Sequence, residues 1–347
     1  MDSVAVVSTK KLRAVHVPRH FTKVLLLSLV LLVVCVIASL VLGSRLVSWH
    51  ELMNGLFASD ADSYGASVIQ KRIIRTMFGL CCGAALGISG ALMQAVTRNP
   101  IADPSILGVN TGAALFVVCG IAFLNISTMG QYIWLALAGA MLTAVFVFGI
   151  GSMGRGGATP LKLVLAGAAT SAALSSLVNA IMIPRSYVMD QFRFWQVGSI
   201  GSGNWDTVSA FLPFLFAGAL IGIVAAPALN ALALGEEVAQ SQGVRVGTLR
   251  LFAALAGVLL CGAATALAGP IGFVGLLATH LVRLLLGPDL RYIIPMSALF
   301  GAIVLLFSDV VGRLVGSPGE LEVGVVTAFV GAPILILVAI RSKVRAL

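Results

Sequence analysis

Apolar residues in this chain run together rather than alternating with polar ones, in stretches bounded by Gly, Pro and charged residues. A helix that crosses a bilayer needs about 20 mostly apolar residues. Ten stretches meet that length closely enough to be predicted spans: Val24–Leu42, Met77–Val96, Ile106–Leu124, Ile133–Ile150, Leu163–Ile183, Val208–Ala228, Leu251–Ala268, Ile271–Leu286, Ile293–Val311 and Val323–Ile340. The pattern predicts an all-α, polytopic membrane protein with a transmembrane domain over residues 24–347 and a short tail over 1–23. Between the sixth and seventh spans, residues 230–248 form a polar loop with room for a short helix. Glu236 and Glu237 fall in its first turn, where carboxylates complement the helix dipole, and Gly243 ends it.

Composition strengthens the membrane reading. The chain of 347 residues is 59% hydrophobic and 10% charged, against about 25% charged for soluble domains, and its mean hydropathy is +1.06. The net charge of +9 comes from bases scattered singly or in pairs between apolar runs, which argues against a nucleic-acid surface. With the amino terminus inside, 15 of the 22 bases fall on internal segments, so the positive-inside rule predicts that both termini are cytoplasmic. Lys10, Lys11, Arg13, Arg19 and Lys23 precede the first apolar run as they would in a signal peptide, but that run is too long for a signal core and no small-x-small cleavage site follows. The five cysteines all lie inside apolar runs and read as small hydrophobes, not as a disulfide or metal framework.

Two short stretches repeat. Cys82-Gly83-Ala84-Ala85 leads to Gly90, and Cys261-Gly262-Ala263-Ala264 leads to Gly269, on spans predicted to run in opposite directions. Inverted repeats are frequent in transporters. No Gly-x-x-x-x-Gly-Lys-Ser/Thr occurs, so the phosphate cradle of an ATPase is missing. Arg72 and Arg75 stand three apart at the start of the second span, with Arg313 leaving the ninth on the same predicted outer side. Guanidinium forks suit carboxylates, while snorkelling to the interface is the plainer role.

Several stretches carry more than their physics. Arg72-Ile73-Ile74-Arg75, the small-residue run 83–94, the Pro-rich segment from Arg98 to Gly112, Trp195-Gln196-Val197-Gly198-Ser199, Leu234–Ala239 with Gly243-Val244, Ala268–Leu276, His280–Asp289, Gly324–Ala328 and Gly331-Ala332-Pro333 occur in this order. Together they resemble the permease subunits of binding-protein-dependent ABC importers for ferric siderophores, haem and cobalamin. The resemblance covers nearly everything after about residue 45. It implies a ten-span subunit of the cell membrane, paired with a second copy or a paralogue, two cytoplasmic ABC ATPase subunits and an extracytoplasmic binding protein. It implies no cofactor, no resident metal, and ferric siderophore as the favoured cargo.

The same resemblance assigns candidate roles. Arg72, Arg75 and Arg313 match positions that engage acids on the binding protein. Glu236, Glu237 and Gly243 match the helix that couples to the ATPase. Asn99 and Ile101 match a cytoplasmic constriction, and Thr159, Pro160 and Leu161 a second one, although Pro160 and Leu161 depart from the hydroxyl residues seen there in the family. Glu322 stands where the family has proline, an extra acid expected near Arg313.

Other readings fit less well. Gly87-Ile88-Ser89-Gly90 has the pattern of a rhomboid-type protease with His280 as base, which requires hydrogen-bond contact between the two. An ion-coupled transporter would carry acids within its spans, whereas Asp309, at the end of one, is the single acid inside those predicted. Asp309 and Arg313, at i and i+4, are expected to pair. His280, one turn from Arg283, is expected to be a hydrogen-bonded structural histidine.

Overall fold

In a computed structural model, residues 20–43, 64–126, 128–154, 159–201 and 203–343 are described. Most of the expected tail, together with Arg45, Arg155 and Arg345, lies outside them. The helices are α1 (Phe21–Val41), α2 (Tyr64–Thr97), α3 (Val109–Leu124), α4 (Met129–Ser152), α5 (Pro160–Met182), α6 (Ser186–Gln196), α7 (Trp205–Ala233), α8 (Glu236–Ser241), α9 (Val246–Ala268), α10 (Val274–Leu286), α11 (Leu290–Val315) and α12 (Val323–Lys343), with a 3-10 turn at Pro104–Leu107 before α3. Among the described residues seven helices are long and apolar enough to cross a membrane, and α3, α10 and α12 contain shorter apolar helices. These ten correspond one for one to the ten predicted spans, so the chain is an all-α polytopic membrane protein.

The centre of the bundle is α2. Of its most apolar window 83% is buried, against 17% for α1 and 22% for α5 and α7. Small residues make this possible. Gly83, Gly87 and Gly90 repeat along one face of α2; a methyl group added at Gly87 would overlap the Ser297 carbonyl of α11, and one at Gly90 would stand 2.6 Å from Gly275 of α10. Backbones that approach this closely gain dispersion contact without any hydrophobic driving force, which lipid does not supply. The repeated stretches lie on touching helices that run in opposite directions: Ser89 of α2 donates to the Gly257 carbonyl of α9, while Gly79 lies against Ile200, whose neighbour Ser199 donates its N–H to Ala268 at the far end of α9.

Most predicted boundaries move by a few residues, and three of the changes bear on the site. The sequence starts the second span at Met77, with Arg72 and Arg75 before it, but α2 begins at Tyr64 and carries the two arginines on its third and fourth turns. The eighth was expected from Ile271, yet α10 has 13 residues, about 20 Å at 1.5 Å per residue, short of the roughly 30 Å hydrocarbon thickness. The third was expected from Ile106, where a 3-10 turn stands ahead of α3 instead. In the break before α10, Gly269 takes φ +73°, and a side chain there would strike the Trp195 carbonyl. Irregular backbone is tolerated at membrane depth only where protein surrounds it. Here Ser199 N–H reaches Ala268 O and Gly324 N–H reaches Gly198 O, so three of the quoted sequence stretches meet at one place.

One helix was not foreseen. Val188, Phe192 and Trp195, spaced i, i+4 and i+7, bury the inner face of α6, and the Tyr187 hydroxyl donates to Ile121 O at 3.3 Å. Asp190 and Arg193 pair on the opposite, solvated face.

Candidate functional site

The three candidate docking arginines gather at one end of the bundle, two of them joined through an acid. Asp309, 1% exposed, accepts from Arg75 Nη2 at 2.8 Å and faces Arg313 Nη2 at 3.0 Å. Arg313 also donates to the carbonyls of Ser39 (3.0 Å) and Leu42 (3.1 Å), and Arg72 donates to those of Leu40 and Val41 at 2.9 Å. Four successive carbonyls at the C-terminus of α1, where a helix leaves its acceptors unsatisfied and its dipole negative, are thus met by two guanidinium groups. The expected picture of three outward-facing arginines gives way accordingly. Arg72 and Arg313 are 8% and 2% exposed, because they hold α1 to α2 and α11. Arg75 differs: its Nη1 reaches outward to Glu320 Oε2 at 2.6 Å, and Glu320 is 39% exposed. The acid that approaches the cluster is therefore Glu320, not Glu322, on the turn whose Leu321 N–H is anchored to Gly312 O.

At the opposite end stands α8. Its first turn holds Glu236 and Glu237, and Gly243, at φ +82°, ends it as predicted. The Val244 N–H returns to Ala239 O and the Gly243 N–H to Gln240 O, the paired bonds of a Schellman cap. The two acids part company. Glu236 pairs with buried Arg250 of α9 at 2.6 Å, whereas Glu237, with Leu234 and Val238, lies on the exposed surface.

Sequence reasoning missed the neighbouring tie. Asn230, near the end of α7, donates to Asp289 Oδ1 at 2.6 Å and accepts from Leu290 N–H at 2.9 Å. Burial raises the Asp289 carboxyl, but hydrogen bonds from Arg291 and Asn230 outweigh it and hold the group below its usual value. An Asp directly before a helical stretch was the available signal, since that is a capping position.

The candidate constriction residues are placed by local chemistry. Arg98 leaves α2 in the left-handed region, Asn99 Oδ1 accepts the Ile101 N–H at 3.1 Å, and Asp103 caps the 3-10 turn through Ser105 N–H at 3.0 Å. Burial raises the Asp103 carboxyl, against the lowering effect of the Ser105 bonds. Thr159 caps α5 through Lys162 N–H, with Pro160 in the first turn. That turn position suits proline, which has no N–H to satisfy. Ile101 and Leu161 are both exposed, and the 3-10 turn packs on α5 at Gly167, where a methyl group would overlap Ile106 O.

The other candidates resolve simply. Ser89 is fully buried, with its hydroxyl on the Gly257 carbonyl; no bond to His280 exists among the described residues, so the protease geometry is not formed. His280, half-buried, makes no hydrogen bond to any described residue, contrary to expectation. Its neighbour Arg283 does, to Gln94 Oε1 at 3.2 Å.

Comparison with known proteins places this architecture. The model of the FecCD transport family matches residues 31–341. The ferric enterobactin transport system permease protein FepD of Escherichia coli is 41% identical over 318 residues, covering 91% of this chain and 94% of that protein. The hemin transport system permease protein HmuU of Yersinia pestis is 32% identical over 324 residues, with 91% and 94% covered. Among solved structures, a metal-chelate type ABC transporter in an inward-facing conformation superposes with a TM-score of 0.79 at 27% identity, covering 92% of this chain and 99% of that one. By sequence over most of its length, and by its ten apolar helices, the chain belongs to the FecCD transport family, the permeases of type II ABC importers.

Proposed function

We propose that this chain forms the membrane pathway through which a ferric siderophore enters the cytoplasm, driven by ATP hydrolysis on separate subunits. The family already makes it a transport subunit of iron-chelate import rather than an ATPase. The observation that carries the finer reading is the identity of 41% to a ferric enterobactin permease, against 32% to a hemin permease over the same share of chain. In this reading the Arg75 end faces outward and the α8 end inward, as the distribution of bases favours. Arg75 meets an acid on the binding protein, with Arg313 setting its position through Asp309 and Arg72 holding the end of α1 beside it. Glu237, Gly243 and the exposed apolar side chains of α8 engage the ATPase, while Glu236 braces α8 against Arg250. Asn99, Ile101, Thr159, Pro160 and Leu161 line the inner constrictions.

The test is uptake of radioactive iron by proteoliposomes holding this permease with its ATPase and binding protein. Ferric enterobactin is expected to enter only with ATP and binding protein present. Entry of haem alone, with no ferric siderophore taken up, would move the chain to the haem branch of its family.

A further inference from the structure

Helices α4 and α9 touch at a narrow waist, where a methyl group added at Gly262 would stand 3.0 Å from the Ala140 side chain. The seam between them opens on both sides of that waist. Toward the α8 end it holds a crevice of about 310 Å³ lined by apolar groups alone, among them Val145, Phe148 and Val258. Toward the Arg75 end lies a second cavity of about 310 Å³, walled by α4, α7 and α9 through Ile133, Trp134, Leu137, Phe214 and Leu267. It differs in carrying an acid, Asp206.

The level of this second cavity in the bilayer follows from its walls. Both α4 and α7 begin beside it, each behind a capping box, Thr128 with Gln131 and Asn204 with Thr207, so Asp206, in the first turn of α7, stands at the membrane surface. From Gly130 to Leu137 the lining descends seven residues of α4, about 10 Å at 1.5 Å per residue. Trp134 and Trp205, both exposed, mark the interface, the level that indole rings favour. Trp134 closes one side edge-on to Phe214, with ring centroids 6.4 Å apart. Farther along α7, Leu212, Phe216 and Leu220 are exposed, which places the mouth of the cavity against acyl chains. The Asp206 side chain is exposed as well and makes no hydrogen bond or ion pair to any described residue.

We propose that this cavity holds an acyl chain of an outer-leaflet phospholipid whose headgroup bears a primary amine, as in phosphatidylethanolamine, with the ammonium on Asp206. The inference rests on the chain's crossing the bilayer and not on its cargo. A carboxylate at headgroup level attracts an ammonium and repels an anionic headgroup. The waist at Gly262 keeps the acyl chain in its own leaflet. The apolar crevice beyond the waist offers similar space but no group that tells one headgroup from another.

The experiment is native mass spectrometry of the whole purified permease, titrated with phosphatidylethanolamine or phosphatidylglycerol of identical acyl chains. The readout is the ratio of the two affinities in parent and variant, because anionic lipid held by bases in the opposite leaflet contributes equally to both. Asp206→Asn keeps the capping box and is expected to shift the ratio about fivefold against phosphatidylethanolamine, the worth of one exposed ion pair. Ala210→Phe, which fills the cavity, is expected to weaken both lipids about tenfold, the worth of about two buried methylenes. An unchanged ratio in Asp206→Asn overturns the site, and so does undiminished retention of both lipids by Ala210→Phe; what binds is then annular lipid only. Dissociation of a dimer of the chain by Ala210→Phe would give this face to a second copy and overturn the lipid site as well. The Asp206→Asn ratio decides the case alone should Ala210→Phe fail to fold.

Discussion

A carboxylate as enclosed as Asp309 is stable in a bundle core only while its cationic partners remain, because removing one side of a buried pair strands the other. Arg75 and Arg313 supply that compensation, and Arg313 in turn holds the end of α1. Asp309→Ala is therefore expected to cost about 3–5 kcal/mol, seen as a large drop in the thermal midpoint of the purified permease. Glu320→Gln, which breaks a pair that is partly in water, is expected to cost no more than about 1 kcal/mol. Equal losses in the two variants would show that Asp309 is not the hub. The i, i+4 pairing of Asp309 with Arg313 was legible in sequence because it is local. The arrival of Arg75 at the same carboxylate, from another helix, was not. Nor was the capping of α1 by Arg72, since nothing in the spacing of a guanidinium reveals which carbonyls it will find.

Among the short elements, α8 owes its shape to Gly243. A methyl group there would touch nothing within 4 Å, so Gly243→Ala isolates the backbone cost of a left-handed conformation, about 1–2 kcal/mol. Amide hydrogen exchange over residues 236–244 should quicken by at least about fivefold, and unchanged protection would mean that the Schellman bonds do not hold the helix. Nearby, the tie from Asn230 to Asp289 carries a pH dependence. The Asp289 carboxyl is depressed in the fold, so its contribution is complete above the unfolded value of about 3.9 and is lost as pH falls through the lower folded one. Slower exchange at Leu290 should therefore persist at pH 5, begin to weaken only below about pH 3.9 and be lost as pH falls through the lower folded value, whereas Asp289→Asn should show no such pH step. The two acids of α8 looked equivalent in sequence. Only the position of Arg250 separates the brace, Glu236, from the exposed Glu237.

Across the whole bundle, packing rests on backbone proximity. Gly87→Ala must force α2 away from α11 at Ser297, whereas Gly149→Ala, with open space around it, adds helix propensity worth up to about 1 kcal/mol. Gly87→Ala should reduce the yield of folded permease sharply and Gly149→Ala should not, measured by size-exclusion profile in detergent; similar profiles for both would refute close packing as the organising feature of α2. The purified chain is further expected to hydrolyse no ATP until its separate ATPase subunit is added. Turnover by the chain alone, with contaminants excluded, would overturn that.

What the sequence determined by itself was set by local quantities: the length of each apolar run, the glycine and proline breaks, the acids that open α8 and the glycine that closes it. Bilayer thickness converts run length into a count of spans almost directly, which is why all ten were found while α6, short and amphipathic, was not. Tertiary structure alone decided the direction in which polar groups point. Arg72 and Arg313 turn inward because α1 ends beside them with four unmet carbonyls, and α10 starts late because the break before it is enclosed by Trp195 to Ser199. In each case the partner lies far along the chain, and a hydrogen bond or charge pair depends on distance in space, which no periodicity in the sequence encodes.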